Sequence, residues 1–364
     1  MKTEAMVCRA AGEPLRVELL DLRDPEPDEV LVEIMACGLC KTDLSQIEGK
    51  SAPYPFPVVV GHEGAGIVRA VGNGVTSLQP GDHAITLGVG ECGECENCRS
   101  ERTNICLAWL AEIARQPTPF SSEGQRVSAY TGIGALSRFV VMKERSVARI
   151  RDDVPFDLAC TISCAVATGV GAATHTAHVR EGSSVAVFGL GGIGLNVVQG
   201  ARLAGAAQII GIDTNRSREA DARVFGLTDF VHPGDGDVVQ QIAALTGSGA
   251  DYTFECVGHE ALMHQAFAAS RVGGGCCTVL GVPPDGTTLR MAPFELQLGR
   301  SVTGSFMGNI KGRSQLPGLL DLYVEGRLNL DDLVTHRMPM HRVNEGFELM
   351  KSGAALRVVV GFQR

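Results

Sequence analysis

The run "SVAVFGLGGIGLNVVQGARLAG", residues 184–205, narrows most sharply what this chain can fold into. A short β-branched stretch gives way to glycines at 189, 191 and 194, and then to an apolar period of helical spacing. That order reads as a strand, a tight turn and a helix laid back on the sheet. The same texture recurs downstream. Strand candidates are "QIIGID", "DFVHP", "DYTFECVG", "CCTVLGV" and "SVTGSFMG"; helical periodicity fits "IGLNVVQGARLAG", "RSREADARVFG" and "ALMHQAFAASRVG". Six strands alternating with helices predict an α/β fold, a doubly wound parallel six-stranded sheet spanning 166–304.

The flanks differ. Residues 1–165 are β-rich, with runs such as "EVLVEIMAC" and "GAGIVRAVG" separated by turn signals like "VGNGV" and "LQPGDH". Residues 305–364 hold two helical stretches, "LPGLLDLYVEGRL" and "NEGFELMKSG", and a last strand "RVVVGF" that returns to the first domain. The length of 364 residues suits two such domains. A net charge of −9 without a basic block argues against nucleic acid as a partner. No stretch reads as a signal peptide or a membrane span, so the expected compartment is the cytoplasm. There, twelve cysteines argue for metal sites or buried thiols rather than disulfides.

The glycines have separable tasks in a dinucleotide fingerprint. Gly189 makes the turn, Gly191 lets the backbone approach a pyrophosphate, and Gly194 lets the helix pack on the strand. With Gly192 and Ile193 they open a helix whose unpaired N–H groups face the phosphates. Asp213, ending "QIIGID" about twenty residues on, stands where an acid binds the adenosine ribose. An acid there repels a 2′-phosphate and favours NAD over NADP; nearby Arg216 and Arg218 temper the preference.

Two groups of metal-ligand residues stand out. Cys92, Cys95, Cys98 and Cys106 are separated by two, two and seven residues. Gly93 and Asn97 supply turn chemistry between them. Four thiolates complete a tetrahedral zinc shell, so this site is expected to be structural. Cys40, His62, Glu63 and Cys164 lie far apart, and each alone has a bland explanation as a core thiol or a satisfied polar residue. Cys, His and Cys together match a zinc that keeps an open position. Spacing alone does not establish it.

At this point the chain resembles the zinc-dependent medium-chain alcohol dehydrogenases. "CGLCKTDL", "GHEGAGIV", "GDHAI", the four-cysteine loop, "SCAVATGVGAA", "GLGGIGLNVVQGA" and "SGAALRVVVGF" occur in that family's order. The texture is that of the branch with animal, aryl-alcohol, formaldehyde-linked and nicotinoprotein enzymes. The resemblance implies a GroES-like catalytic domain beside a Rossmann domain, and two zinc ions per subunit. It implies that Cys40, His62 and Cys164 hold the catalytic zinc, with Glu63 a possible alternate ligand. Asp43 would orient His62, and Thr42 would hold the alcohol proton. Lys41 and Arg357 would bind the cofactor pyrophosphate, Arg218 would lie near the ribose, and Val257 and Val282 would contact the cofactor. A homodimer through the Rossmann domain, by way of "SVTGSFMG", is also implied.

Two departures matter. Ser45 stands where many relatives carry a histidine that ends the proton relay, so a more alkaline optimum for alcohol oxidation is expected. Gly88 stands where many carry an aromatic ring. With Trp109 and Leu110, in a stretch from 107 to 133 that reads as a loop, this suggests a bulky apolar or aromatic primary alcohol. Rival readings are a thiol-adduct (formaldehyde-linked) dehydrogenase, a conjugated C=C or iminium reductase, a nicotinoprotein with permanently bound NAD, and a non-catalytic NAD-binding protein.

Overall fold

A computed structural model of the chain describes residues 1–50 and 54–362. The chain divides into two compact units, Met1–Cys164 with Lys311–Arg364, and Ala165–Ile310. Among the described residues, no single helix is long and apolar enough to cross a membrane.

The second unit is a six-stranded sheet, parallel throughout. Its strands are Ser184–Phe188, Gln208–Ile212, Asp229–Val231, Tyr252–Glu255, Cys276–Val279 and Ser301–Gly304. Counted along the chain from one to six, they lie in the order 3-2-1-4-5-6, the doubly wound arrangement. Apolar side chains such as Phe188, Ile210, Ile212 and Phe267 form its core. Helices Gly192–Leu203, Arg218–Phe225 and Glu260–Ala269 lie where their periodicity predicts. A further helix, Val238–Thr246, begins on Asp237, whose carboxylate accepts the Gln240 amide at 2.8 Å, and ends on Gly247 at φ +84°. Its capping signals are plain in the sequence, but its apolar stripe is short. This unit closes at Ile310, beyond the expected 304. The reason is a close approach: a Cβ on Gly308 would stand 2.0 Å from the Ala167 carbonyl oxygen, so 305–310 is pressed onto the first helix of the unit.

The first unit is β-rich. A closed barrel contains Lys2–Cys8, Arg16–Leu22, Val58–Val59, Phe120–Ser122 and Gln125–Ala129. A seven-stranded sheet is organised on the long strand Glu29–Gly38. One edge of that strand pairs with Glu63–Val71; the other pairs with Phe139–Lys143 near its start and with Arg357–Gly361 near its end. The stretch 107–133, which reads as a loop, is ordered: a helix Leu107–Ile113 followed by the hairpin that completes the barrel. Short strands and a single helical turn or two leave too little periodicity to be read from the sequence.

Candidate active site

The end of strand Glu29–Gly38 places the first ligand. Cys40 caps the helix Lys41–Ile47, His62 immediately precedes strand Glu63–Val71, and Cys164 is the last residue of its segment of the unit. Ligand atoms of Cys40, His62, Glu63 and Cys164 all lie within 4.8 Å of one another, and all four residues are buried. The two sulfurs are 4.0 Å apart. Thiolates about 2.3 Å from a tetrahedral zinc are separated by roughly 3.8 Å, so the donors fit that ion.

Asp43 organises the cluster from behind. It is fully buried and accepts from the amides of Gly61 at 2.9 Å and Cys40 at 3.3 Å. Its Oδ1 lies 3.1 Å from His62 Nδ1. A carboxylate only accepts, so Nδ1 carries the proton and Nε2 is left to a metal. The electrostatics show an excess of buried negative charge. The hydrogen bond between the sulfurs holds Cys40 well below an ordinary thiol and, with burial, Cys164 well above it. Burial would depress His62, but Asp43 and Cys40 hold it well above its usual value. Burial pushes Glu63 up to about 7 against the pull of Arg357. A cation among these donors removes the conflict.

The resemblance places Arg357 at a cofactor phosphate. In the structure its side chain is buried in the sheet and its guanidinium is paired with Glu63 Oε2. Glu63 is a member of the ligand group, and its Oε1 has no hydrogen-bond partner among the described residues. Gly38 sits opposite Glu63 in register, and a Cβ on it would stand 2.3 Å from Glu63 Oε2. Only glycine leaves room for the ion pair.

Thr42 is half-buried, its Oγ1 3.4 Å from Cys40 Sγ; Ser45 follows one turn later on the same helix, and Lys41 is exposed at its start. Two residues that the sequence reading misses complete this region. The Tyr130 ring meets His62 edge-on at 6.2 Å and Tyr54 at 5.3 Å, and its hydroxyl donates to the Thr42 carbonyl at 3.4 Å. Burial raises both phenols, Tyr54 to about 12, so both stay protonated. Gly88 is half-buried. Trp109 is buried in the four-cysteine lobe against Gly90, and Leu110 is exposed on the same helix.

That lobe is closed by its own backbone. Cys95 caps the helix Glu96–Arg99 and accepts the Cys98 amide at 3.4 Å; Cys106 caps Leu107–Ile113 and accepts the Trp109 amide at 3.4 Å. Cys92 accepts the Cys95 amide at 3.4 Å and lies 3.9 Å from Cys98 Sγ. Amides aimed at sulfur stabilise thiolates, and the four sulfurs lie within 4.8 Å of one another, as a zinc shell requires. Lys311 Nζ donates to the Cys98 carbonyl at 2.6 Å, and buried Glu91 accepts from the amides of Arg313 and Ser314 at 2.7 and 2.9 Å.

In the second unit Gly189 turns at φ +91°, and a Cβ on Gly194 would stand 1.8 Å from the Gly189 carbonyl oxygen. Beyond its own chain neighbours, a Cβ on Gly191 would meet no atom of the described residues within 4 Å, which leaves that approach open to a ligand. Gly192 and Ile193 begin the helix behind it. The Asp213 carboxylate accepts from the amides of Leu190 and Asn215, both at 2.8 Å, and so ties the glycine loop to the end of the next strand. Arg218 opens its helix 3.4 Å from Asp221, Val257 packs on Gly189, and Val282 is exposed.

Residues 26–152 match the family described as alcohol dehydrogenase GroES-like domain, and residues 192–325 match the family described as zinc-binding dehydrogenase. The chain belongs to the zinc-dependent medium-chain alcohol dehydrogenases. It is 43% identical to an alcohol dehydrogenase class-3 of Cereibacter sphaeroides, over the whole of both chains. It is 42% identical to the S-(hydroxymethyl)glutathione dehydrogenase of Paracoccus denitrificans, over 99% of this chain and all of that one. Among solved structures it resembles the benzyl alcohol dehydrogenase of Acinetobacter calcoaceticus, with a TM-score of 0.91 and 29% identity over the whole of both chains.

In this dehydrogenase, a zinc ion held by Cys40, His62 and Cys164 would supply Lewis acidity toward a substrate oxygen. The chain's own groups do the rest. Asp43 fixes the ring of His62, Arg357 neutralises the carboxylate behind the ligands, and Thr42 offers a hydroxyl beside Cys40 able to pass a proton on.

Proposed function

We propose that the chain catalyses reversible hydride transfer between NAD and a primary alcohol or aldehyde bearing a bulky apolar or aromatic group, with one catalytic and one structural zinc per subunit. The observation that carries this reading is the Tyr130–Tyr54 ring pair set edge-on beside His62. An edge-to-face aromatic pair beside the ligand residues favours a flat apolar substrate over ethanol, and a glycine at 88 adds room. The likeness to a benzyl alcohol dehydrogenase supports the same class. NAD is favoured by Asp213. The strand Ser301–Gly304 lies at the sheet edge, which supports pairing with a second copy, and we place the enzyme in the cytoplasm.

A second reading has its own support. Relatives 42% identical over their whole length are S-(hydroxymethyl)glutathione dehydrogenases. Against it, "CLAWLAEIAR" has no arginine where that subgroup holds its carrier thiol, and Arg115 is displaced.

A panel of ethanol, benzyl and terpenoid alcohols and the hydroxymethyl adducts of glutathione and mycothiol, each with NAD and NADP, separates these. The expected order of kcat/KM places benzyl or terpenoid alcohols above ethanol, with NAD above NADP. An adduct that exceeds them all establishes the second reading instead. Because the Ser45 hydroxyl cannot take up a proton near neutrality, oxidation should rise into the alkaline range. A kcat profile with an inflection near 7, where chemistry limits the rate, would contradict that.

A further inference from the structure

Strand Tyr252–Glu255 ends on a carboxylate with no accessible surface. Glu255 Oε1 accepts from the amides of Val257 at 2.9 Å, Gly258 at 2.8 Å and His259 at 3.4 Å. Its main-chain carbonyl accepts from Leu280 at 2.8 Å and Gly281 at 3.0 Å. One residue therefore fixes the turn after its own strand and the turn after the neighbouring strand.

These turns form one block with the glycine loop. A Cβ on Gly189 would stand 2.5 Å from Val257 Cγ2. Gly258 turns at φ +87°, and a Cβ on it would stand 2.4 Å from the Val282 carbonyl oxygen. Both turns lie at the carboxyl ends of parallel strands, where such sheets bind ligands, and across the switch point from Asp213. With the adenosine ribose at Asp213 and the phosphates at the glycine loop, the block faces the other half of a dinucleotide.

The carboxylate is a costly way to build a turn. A buried charge is unfavourable unless paired, and the bonds that Glu255 Oε1 accepts come from backbone amides, not from a cation. Its Oε2 has no hydrogen-bond partner among the described residues. What a charge adds is stiffness, because bonds from amides to a carboxylate are short and strong.

We propose that Glu255 is a positioning residue for the nicotinamide half of the cofactor. Its clamp on three amides sets where Val257, Gly258 and the 281–282 turn stand relative to Gly189. This rests on the reading that the second unit binds a nicotinamide dinucleotide.

The test uses the full-length, metal-quantified enzyme and calorimetric titration with NAD and with AMP, which lacks the nicotinamide half. In Glu255→Ala, NAD binding should weaken about tenfold or more, the loss of roughly one charge-assisted bond, while AMP binding stays within about twofold. KM for NAD should rise more than kcat falls. Glu255→Gln keeps an acceptor oxygen and should restore NAD binding to within about threefold of wild type. If the alanine variant does not fold, Glu255→Asp, which shortens the reach, carries the same selective expectation. Equal losses for NAD and AMP, or unchanged NAD binding with the clamp removed, would overturn the proposal. Wild-type enzyme that binds neither NAD nor NADP would instead overturn the dinucleotide reading on which it rests.

Discussion

The two cysteine clusters of the first unit are assembled from very different lengths of chain. Cys92, Cys95, Cys98 and Cys106 come from one short stretch, and two of them are half-buried. Their charge is met locally, by amides of the helices they cap. Cys40 and Cys164 are 124 residues apart, and all four residues of their site are buried. Its side chains are held by partners from other segments: the Asp43 carboxylate accepts from His62 Nδ1, and the Arg357 guanidinium offsets Glu63. A local cluster needs only its turns. A dispersed one needs the whole sheet in register, but gains a ligand set whose members can be tuned separately. Chemistry is better served by the second, and bracing by the first.

Four changes would break or sharpen that contrast. The largest effect is expected from His62→Ala, which should lower kcat/KM about 10³-fold or more and remove one of two zinc ions while the other stays. Metal analysis beside kinetics checks it; two ions retained would show that the dispersed cluster is no metal site. Arg357→Met should come next, at about 3–5 kcal/mol of stability, because it strands the buried Glu63 carboxylate. Denaturant unfolding measures this, and Arg357→Met paired with Glu63→Gln should recover much of the loss.

Cys98→Ser should also shed one zinc, lowering the melting temperature by about 10 °C through loss of metal-linked folding energy, while the catalytic ion remains. A folded, fully active variant with two zincs would erase the contrast. The smallest effect concerns the frame both clusters share. Burial opposes the charge of Glu29, yet hydrogen bonds from Arg23 and the Glu26 amide, with Lys143 nearby, hold its carboxyl below the usual range. Its folded value lies below its unfolded one, so its contribution is complete above the unfolded value and is lost as pH falls through the folded one. Glu29→Gln should flatten the acid limb of a stability–pH curve by about 1 kcal/mol without changing metal content.

What could be read from the sequence follows the same division between local and dispersed. The glycine loop, its strand and its helix are neighbours in the chain, so their order is enough to place them. The four-cysteine lobe is equally legible from spacing. The dispersed site is legible only through likeness to a family, since no spacing rule links Cys40 to His62 and Cys164. Tyr54 and Tyr130 left no signal because neither lies in a periodic segment, and only barrel closure brings the second beside His62. The place of Trp109 in the four-cysteine lobe has no sequence signal beyond its nearness to Cys106, whose sulfur caps its helix and accepts its amide. The Glu63–Arg357 pair spans 294 residues, and a strand register decides it.

That last separation bears on how the protein is made. During synthesis Glu63, His62 and Cys40 leave the ribosome long before Arg357, and a whole second unit is built in between. Until the closing strand arrives, Gly38 has an open edge on one side and Glu63 has no cation beside it. The nascent first unit is thus an incomplete vessel, electrically unbalanced and with an unpaired strand. Zinc capture and the docking of Arg357 offer the same charge relief to one pocket. The order in which a newly made chain accepts them is set by its last strand.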